Sequence, residues 1–268
     1  MIQTSFGVAP DAPLLLREDA EGVATLTLNR PGARNALSTG LMSALEAELV
    51  RLATDESIKV VVIAGAGPGF CAGHDLKEIR ASPGRQYYEK LFAQCSRLML
   101  AIVHLPKPVI AKVHGIATAA GCQLVATCDL AVATESARFA TPGVHIGLFC
   151  STPMVALSRN VGRKQAMEML LTGEMLTADA AIHAGLINHA VPEDELDGAV
   201  AELAGKIAAK SPLALAIGKE AFYRQRELPL AEAYEYASEA MTTNMLARDA
   251  EEGIDAFLEK RKPVWEGR

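Results

Sequence analysis

The chain has 268 residues, 50% of them hydrophobic, with a formal net charge of −6. That length supports a large buried core, and mild acidity without a block of like charges excludes nucleic acid as the main partner. No apolar run reaches the about 18 residues needed to cross a bilayer, so no membrane partner is expected.

Leu14 to Glu18 and Val23 to Asn29 read as two strands around a turn at Asp19 to Gly22. The second, VATLTLN, alternates threonines with apolar residues, as a half-buried strand does. Arg30-Pro31-Gly32 breaks it, and Ser38 then caps a helix running to Ala53, with Leu41, Leu45, Leu49 and Leu52 on one face. Lys59 to Ala64, KVVVIA, is a continuous apolar strand of the kind buried on both faces. GAGPGFCAGHDLKEI, from Gly65 to Ile79, does not satisfy GxGxxG and holds Pro68, so it is not a dinucleotide fingerprint. Gln86 to Leu105 is an amphipathic helix ended by Pro106.

Val109 to Leu130 is the stretch around which the rest is organised. It reads as a strand (Val109 to Val113), a turn of small residues (His114 to Ala119) and a helix from Ala120. The first N–H groups of a helix lack intrahelical acceptors, and the macrodipole makes that end electropositive. Such a corner suits an oxygen that becomes negative during reaction, although a tightly packed helix start accounts for the same residues.

Asp129 to Ala133 and Ala137 to Ala140 follow as strands. Short helices come at Pro153 to Asn160, Arg163 to Thr172 and Thr177 to Ala184, then a strand at Leu186 to Val191. From Glu193 the pattern is helical, broken at Ser211-Pro212 and Leu228-Pro229. The order predicts an α/β core of mostly parallel strands over residues 1–195 and a helical region over 196–268, whose uncovered apolar faces imply self-association.

Five cysteines without CxxC spacing point to reduced core thiols, with no disulfide framework and no metal. The N-terminal MIQTSFGVAPDAPLL shows neither a signal-peptide pattern nor an Arg-rich presequence, and a cytoplasmic location is expected.

Two corners, CAGHDLK (Cys71 to Lys77) and ATAAGCQL (Ala117 to Leu124), each follow an apolar strand. If those strands are neighbours, both corners face one crevice, and one N–H from each can clamp a single oxygen. This implies chemistry on a carbonyl such as a thioester.

The chain resembles the enoyl-CoA hydratase/isomerase (crotonase) family over almost its full length, close to the enoyl-CoA hydratase domain-containing members that lack two catalytic glutamates. The motifs are LNRPGARNALS, GFCAGHDLKEI, PVIAKVHGIATAAGCQLVATCDLAVA, FATPGVHIGL and EGIDAFLEKRKP. The resemblance implies an α/β fold with a crotonase-like spiral of ββα units, a helical C-terminal region for oligomerisation, and a trimer or dimer of trimers. It implies an acyl-CoA thioester as partner, with coenzyme A part of the substrate and no separate cofactor.

Carried over residue by residue, the oxyanion N–H groups are those of His74 and Ala120. The segment His74, Asp75, Leu76 and Lys77 lies along the acyl-CoA, and backbone groups around Ala72 and Leu76 hold the adenine. Lys77 and Arg34 lie near phosphates, and Phe257 and Lys260 reach the coenzyme from a neighbouring subunit.

The resemblance also marks two departures. Family hydratases carry glutamates at the positions of Gln123 and Gly143. Glutamine orients a water or carbonyl but takes no proton, and losing a positioned acid or base costs about 10²–10⁴ in rate. Three readings stay open: a hydratase-like enzyme of acyl-CoA metabolism with weak hydration, a decarboxylase needing only the oxyanion hole, and a non-catalytic acyl-CoA sensor or scaffold. The His74 side chain is a further catalytic candidate, and Cys150 and Ser151 lie where relatives place an acid. The loop Ser82 to Tyr88 is expected to line the acyl end.

Overall fold

Strand β1 (Leu15–Ala20) pairs antiparallel with β2 (Val23–Leu28) across Glu21 and Gly22, both at positive φ (50° and 79°). Such a turn matches the right-handed twist of a tight hairpin. The computed structural model describes residues 12–268, and the reading of the N-terminal segment 1–11 lies outside it. Helix α1 (Thr39–Thr54) opens with the Ser38 hydroxyl accepting from the Leu41 N–H at 3.1 Å. Its Leu41, Leu45, Leu49 and Leu52 are all buried, as the sequence period predicts.

The chain continues through β3 (Val60–Gly65), the short α2 (Leu76–Ala81), α3 (Arg85–His104) and β4 (Val109–Val113). A strand that the sequence reading had as turn, β5 (Ile116–Thr118), precedes α4 (Ala120–Thr127). Then come β6 (Leu130–Thr134), β7 (Arg138–Ala140), a 3-10 turn at Pro142–Ile146, α5 (Pro153–Asn160) and α6 (Arg163–Thr172). The two-residue β8 (Leu176–Thr177), α7 (Ala178–Ala184) and β9 (His189–Val191) follow; β9 is shorter than the Leu186 to Val191 strand expected. The last helices are α8 (Leu196–Ala208), α9 (Pro212–Gln225), α10 (Leu230–Met245) and α11 (Arg248–Leu258). The break between α10 and α11 carries neither Pro nor Gly, so no local signal announced it.

The large sheet runs β1-β2-β3-β4-β6-β9, parallel beyond the first hairpin, and a small sheet runs β5-β7-β8. Strand β3 serves two interiors, as continuous apolar strands do. Val61 and Ile63 join the main core with α1, α3 and α4, whereas Val60 and Val62 pack with Leu196, Val200 and Ala204 of α8. Helix α8, first of the C-terminal helices, therefore forms the second layer over the sheet. Helix α9 is tied down by Lys219, whose ammonium donates to the carbonyls of Ile102 and Lys107 (both 2.9 Å) and to Asp129 (2.7 Å).

Candidate active site

Strands β3 and β4 are parallel neighbours, with Val61 opposite Val109, so the segments leaving their carboxyl ends stand together, where ligands bind in α/β folds. The loop after β3 is stitched to β5. Phe70 N–H donates to the His114 carbonyl (2.9 Å), Cys71 N–H to that of Ile116 (3.1 Å), and Thr118 N–H to that of Cys71 (2.9 Å). Gly73, at φ +90°, is where the corners meet: a Cβ there would lie 3.1 Å from the Ala120 nitrogen and 2.9 Å from the Ala119 Cβ.

The amides of His74, next to Gly73, and of Ala120 thus sit side by side. Leu37 N–H donates to the Gly73 carbonyl (2.7 Å) and Asp75 N–H to the Leu37 carbonyl (3.3 Å), leaving the His74 amide between two used groups. Among the described residues, neither the His74 nor the Ala120 N–H donates to a protein acceptor. Ala119 holds φ 51°, ψ −118°, a conformation disfavoured for an L-residue, while its N–H donates to Ala140. Strain of this kind costs about 1–3 kcal/mol and gathers at functional corners.

Both ring nitrogens of His74 are buried without a hydrogen-bond partner, and the ring meets Phe92 edge-on at 5.8 Å. Burial pushes the imidazole below its ordinary pKa, partly opposed by the nearby Leu37 carbonyl and Glu78 carboxylate. It is therefore neutral near pH 7, with one ring N–H to donate. Two further hydroxyls, Tyr87 and Thr141, are also buried without partners. Thr141 directly follows Ala140, whose carbonyl holds the Ala119 N–H. Burial, then the Glu78 and Asp75 carboxylates, push the Tyr87 phenol above its ordinary pKa. The loop expected over Ser82 to Tyr88 shrinks to residues 82–84, because α3 already begins at Arg85 and carries Tyr87 in its first turn.

The enoyl-CoA hydratase/isomerase family model matches residues 18–268. The chain belongs to this family. A crystal structure of an enoyl-CoA hydratase from Mycobacterium smegmatis superposes with a TM-score of 0.93 at 59% identity, covering 95% of this chain and 99% of that one. The structure of human enoyl-CoA hydratase domain-containing protein 3 gives 0.92 at 47% identity, covering 94% and 100%. The rat protein of that name, described as mitochondrial, is 48% identical over 91% of this chain and 82% of its own length. The fold is thus the crotonase-like α/β fold that the motifs implied.

Gln123 and Gly143, where the resemblance implies the family glutamates, differ in how they are closed. Gln123 is 5% exposed on α4, and among the described residues its side chain has one weak partner, the Cys95 thiol 3.9 Å from Oε1. Gly143 is filled from outside: a Cβ there would lie 2.7 Å from the Leu148 carbonyl oxygen and 2.9 Å from Cys150 Sγ. Burial pushes the Cys150 thiol up despite the Gly143 amide, so it is a poor nucleophile. Ser151 is exposed and bonds only the Phe149 carbonyl, at 3.3 Å.

Asp75 caps α2, accepting from the Lys77 and Glu78 N–H groups, and pairs with Arg30 at 2.8 Å. Burial alone would raise its pKa, but Arg30 and those amides together hold it below the ordinary carboxylate range. The Ala72 N–H donates to the Arg34 carbonyl (3.0 Å), which places exposed Arg34 beside the loop that also exposes Leu76 and Lys77. Helix α11 packs on α9 and α10, where Phe257 and Lys260 stand exposed, outside the group gathered at the corner.

Asn35 escaped the sequence reading as a site residue. Fully buried at φ 54°, it donates from Nδ2 to the carbonyls of Ala66 and Gly69 (both 2.8 Å) and accepts the Arg30 N–H at Oδ1 (2.9 Å). It fastens the loop after β3 to the segment before α1. An asparagine between a Pro-Gly break and a helix cap looks like any turn residue, and only its long-range partners mark it.

Proposed function

We propose that the protein binds an acyl-CoA thioester and polarises its carbonyl between the N–H groups of His74 and Ala120. The observation that carries this reading is the pair of adjacent amides with no protein acceptor. Each such donor is worth about 3–4 kcal/mol toward a developing oxyanion. Arg34, Ala72, Leu76 and Lys77 border the crevice and suit the coenzyme. Phe257 and Lys260 serve it from a neighbouring subunit of a trimer or dimer of trimers, so the site is completed by assembly. Coenzyme A enters as part of the substrate, and no further cofactor is required.

Hydration is weak in this reading. Gln123 and Gly143 supply no carboxylate, and the acids of the adjoining loop are engaged, Asp75 by Arg30 and Glu78 by Thr39. Decarboxylation of a 2-carboxyacyl-CoA fits better. The breaking C–C bond delivers its electron pair into an enolate whose oxygen the two amides hold, so no base starts the reaction. A proton must then reach the α-carbon, and the unpartnered neutral imidazole of His74 is suited to hold the departing carboxylate or the incoming water. A non-catalytic acyl-CoA sensor keeps the same pocket and differs only in lacking turnover.

Turnover of malonyl- and methylmalonyl-CoA compared with crotonyl-CoA, alongside acyl-CoA binding by titration calorimetry, tests these readings. Faster loss of CO₂ than hydration supports the decarboxylase; binding with no turnover supports the sensor; crotonyl-CoA turnover at full hydratase rates overturns both. The buried free thiols fit a reducing compartment, and we place the protein in the cytoplasm of its cell, which fractionation would check.

A further inference from the structure

Helix α11 closes in a Schellman turn. The Arg261 N–H donates to the Ala256 carbonyl (3.0 Å) and the Lys260 N–H to that of Phe257 (3.3 Å), which puts Lys260 at the left-handed position, φ 57°. Glycine is the usual residue there, because a Cβ is crowded at positive φ. A lysine held in that conformation needs surroundings that fix it, and such outliers gather where ligands are met.

Those surroundings are built on two acids about one turn apart on the inner face of α11. Glu252 (9% exposed) takes the Arg261 guanidinium at both oxygens (2.6 and 2.9 Å) and the Val264 N–H at 2.8 Å. Asp249 (2% exposed) takes the Glu266 N–H at 2.7 Å and the Gly267 N–H at 3.1 Å. Between them Trp265 lies over Gly253, where a Cβ would come within 3.2 Å of the indole ring. The Trp265 indole N–H donates to the Ala209 carbonyl after α8, at 2.8 Å. Residues 261–267 are thus folded back along the helix as a strap. A bidentate guanidinium–carboxylate pair fixes direction as well as distance, so the Arg261 fork holds the turn from which Lys260 projects. Arg261 also takes the Glu259 carboxylate (2.6 Å), which ties together the two residues flanking Lys260.

We propose that Glu252 and Arg261 are positioning residues for coenzyme binding. Their ion pair sets the Lys260 turn and so aims the Lys260 ammonium at the phosphates of the acyl-CoA in the neighbouring subunit. This rests on the reading of Lys260 as a coenzyme residue, and the experiment separates the two.

The experiment measures Kd for butyryl-CoA and for butyryl-pantetheine, which lacks the phosphates, by titration calorimetry of the full chain. Lys260→Ala should weaken butyryl-CoA binding by about fivefold, the size of an exposed charge pair, and leave butyryl-pantetheine unchanged. Glu252→Gln and Arg261→Gln should each weaken butyryl-CoA alone by about two- to fivefold. Neither should add to Lys260→Ala in a double variant, since both act through it. Arg261→Lys, which keeps the charge and loses the fork, should fall between the native chain and Arg261→Gln; where a glutamine variant fails to assemble, the ratio of the two Kd values in Arg261→Lys decides. Losses that add in full to Lys260→Ala, equal losses for both esters, or no loss in either glutamine variant overturn the positioning role and leave Lys260 in the site. No loss in Lys260→Ala removes Lys260 from the site, and the proposal with it.

Discussion

Gly121 lies against the carbonyl of Cys71 so closely that a Cβ on it would fall 2.1 Å from that oxygen. Cys71 belongs to the corner after β3 and Gly121 to the first turn of α4, so this contact sets the spacing of the two amides. Gly121→Ala is expected to push the corners apart, costing about 1–3 kcal/mol by overpacking and lowering acyl-CoA affinity. Urea denaturation and titration with butyryl-CoA measure the two effects, and an alanine variant with unchanged affinity would show that the contact does not set the site.

Restoring the family glutamates should not restore hydration one at a time. Gly143→Glu must displace Cys150 Sγ and the Leu148 carbonyl, so it is expected to destabilise the fold by about 1–3 kcal/mol. The triple change Gln123→Glu, Gly143→Glu, Cys150→Ala makes room for the second carboxylate. Crotonyl-CoA hydration should rise by about 10² or more in that variant, read as loss of the enoyl-thioester absorbance, and should stay near background in each single variant.

Stability should fall on acidification because of His74. Its folded pKa lies below the unfolded value of about 6.5. Below that value the unfolded chain takes up a proton that the native imidazole refuses, so the contribution is lost as pH falls and is constant above it. The slope reaches at most about 1.4 kcal/mol per pH unit. Comparing unfolding free energies of the native chain and His74→Gln from pH 8 to pH 5 isolates this group; parallel curves would refute its assignment as a buried neutral histidine.

Lys219→Met should cost about 3–5 kcal/mol, because it strands the Asp129 carboxylate in a part-buried site. The double variant with Asp129→Asn should lose less than the single one. The test is a double-mutant cycle by chemical denaturation. Tyr223, which donates to Asp129 at 2.8 Å, should keep α9 seated in the double variant.

The helices and strands were legible where a local signal existed. The Ser38 cap, the KVVVIA strand and the two Ser/Leu-Pro breaks each state their own conformation, and the structure follows them. Strand β5 was not legible, because three residues between a turn and a helix take a strand conformation only through β7 beside them. The α10–α11 break had no Pro or Gly to mark it, and β9 shortened because only His189 to Val191 meet β6.

The chain by itself determined which residue types stand at the two corners, and so which backbone amides and side chains they carry. Only the tertiary structure decided what those amides and side chains have left to bond. Whether His74, Tyr87 and Thr141 are satisfied, whether Gly143 has room for a side chain, and what Asn35 holds all depend on groups distant in the chain. Hydrogen-bond satisfaction and close packing are properties of neighbours in space, and a sequence lists neighbours only along the backbone.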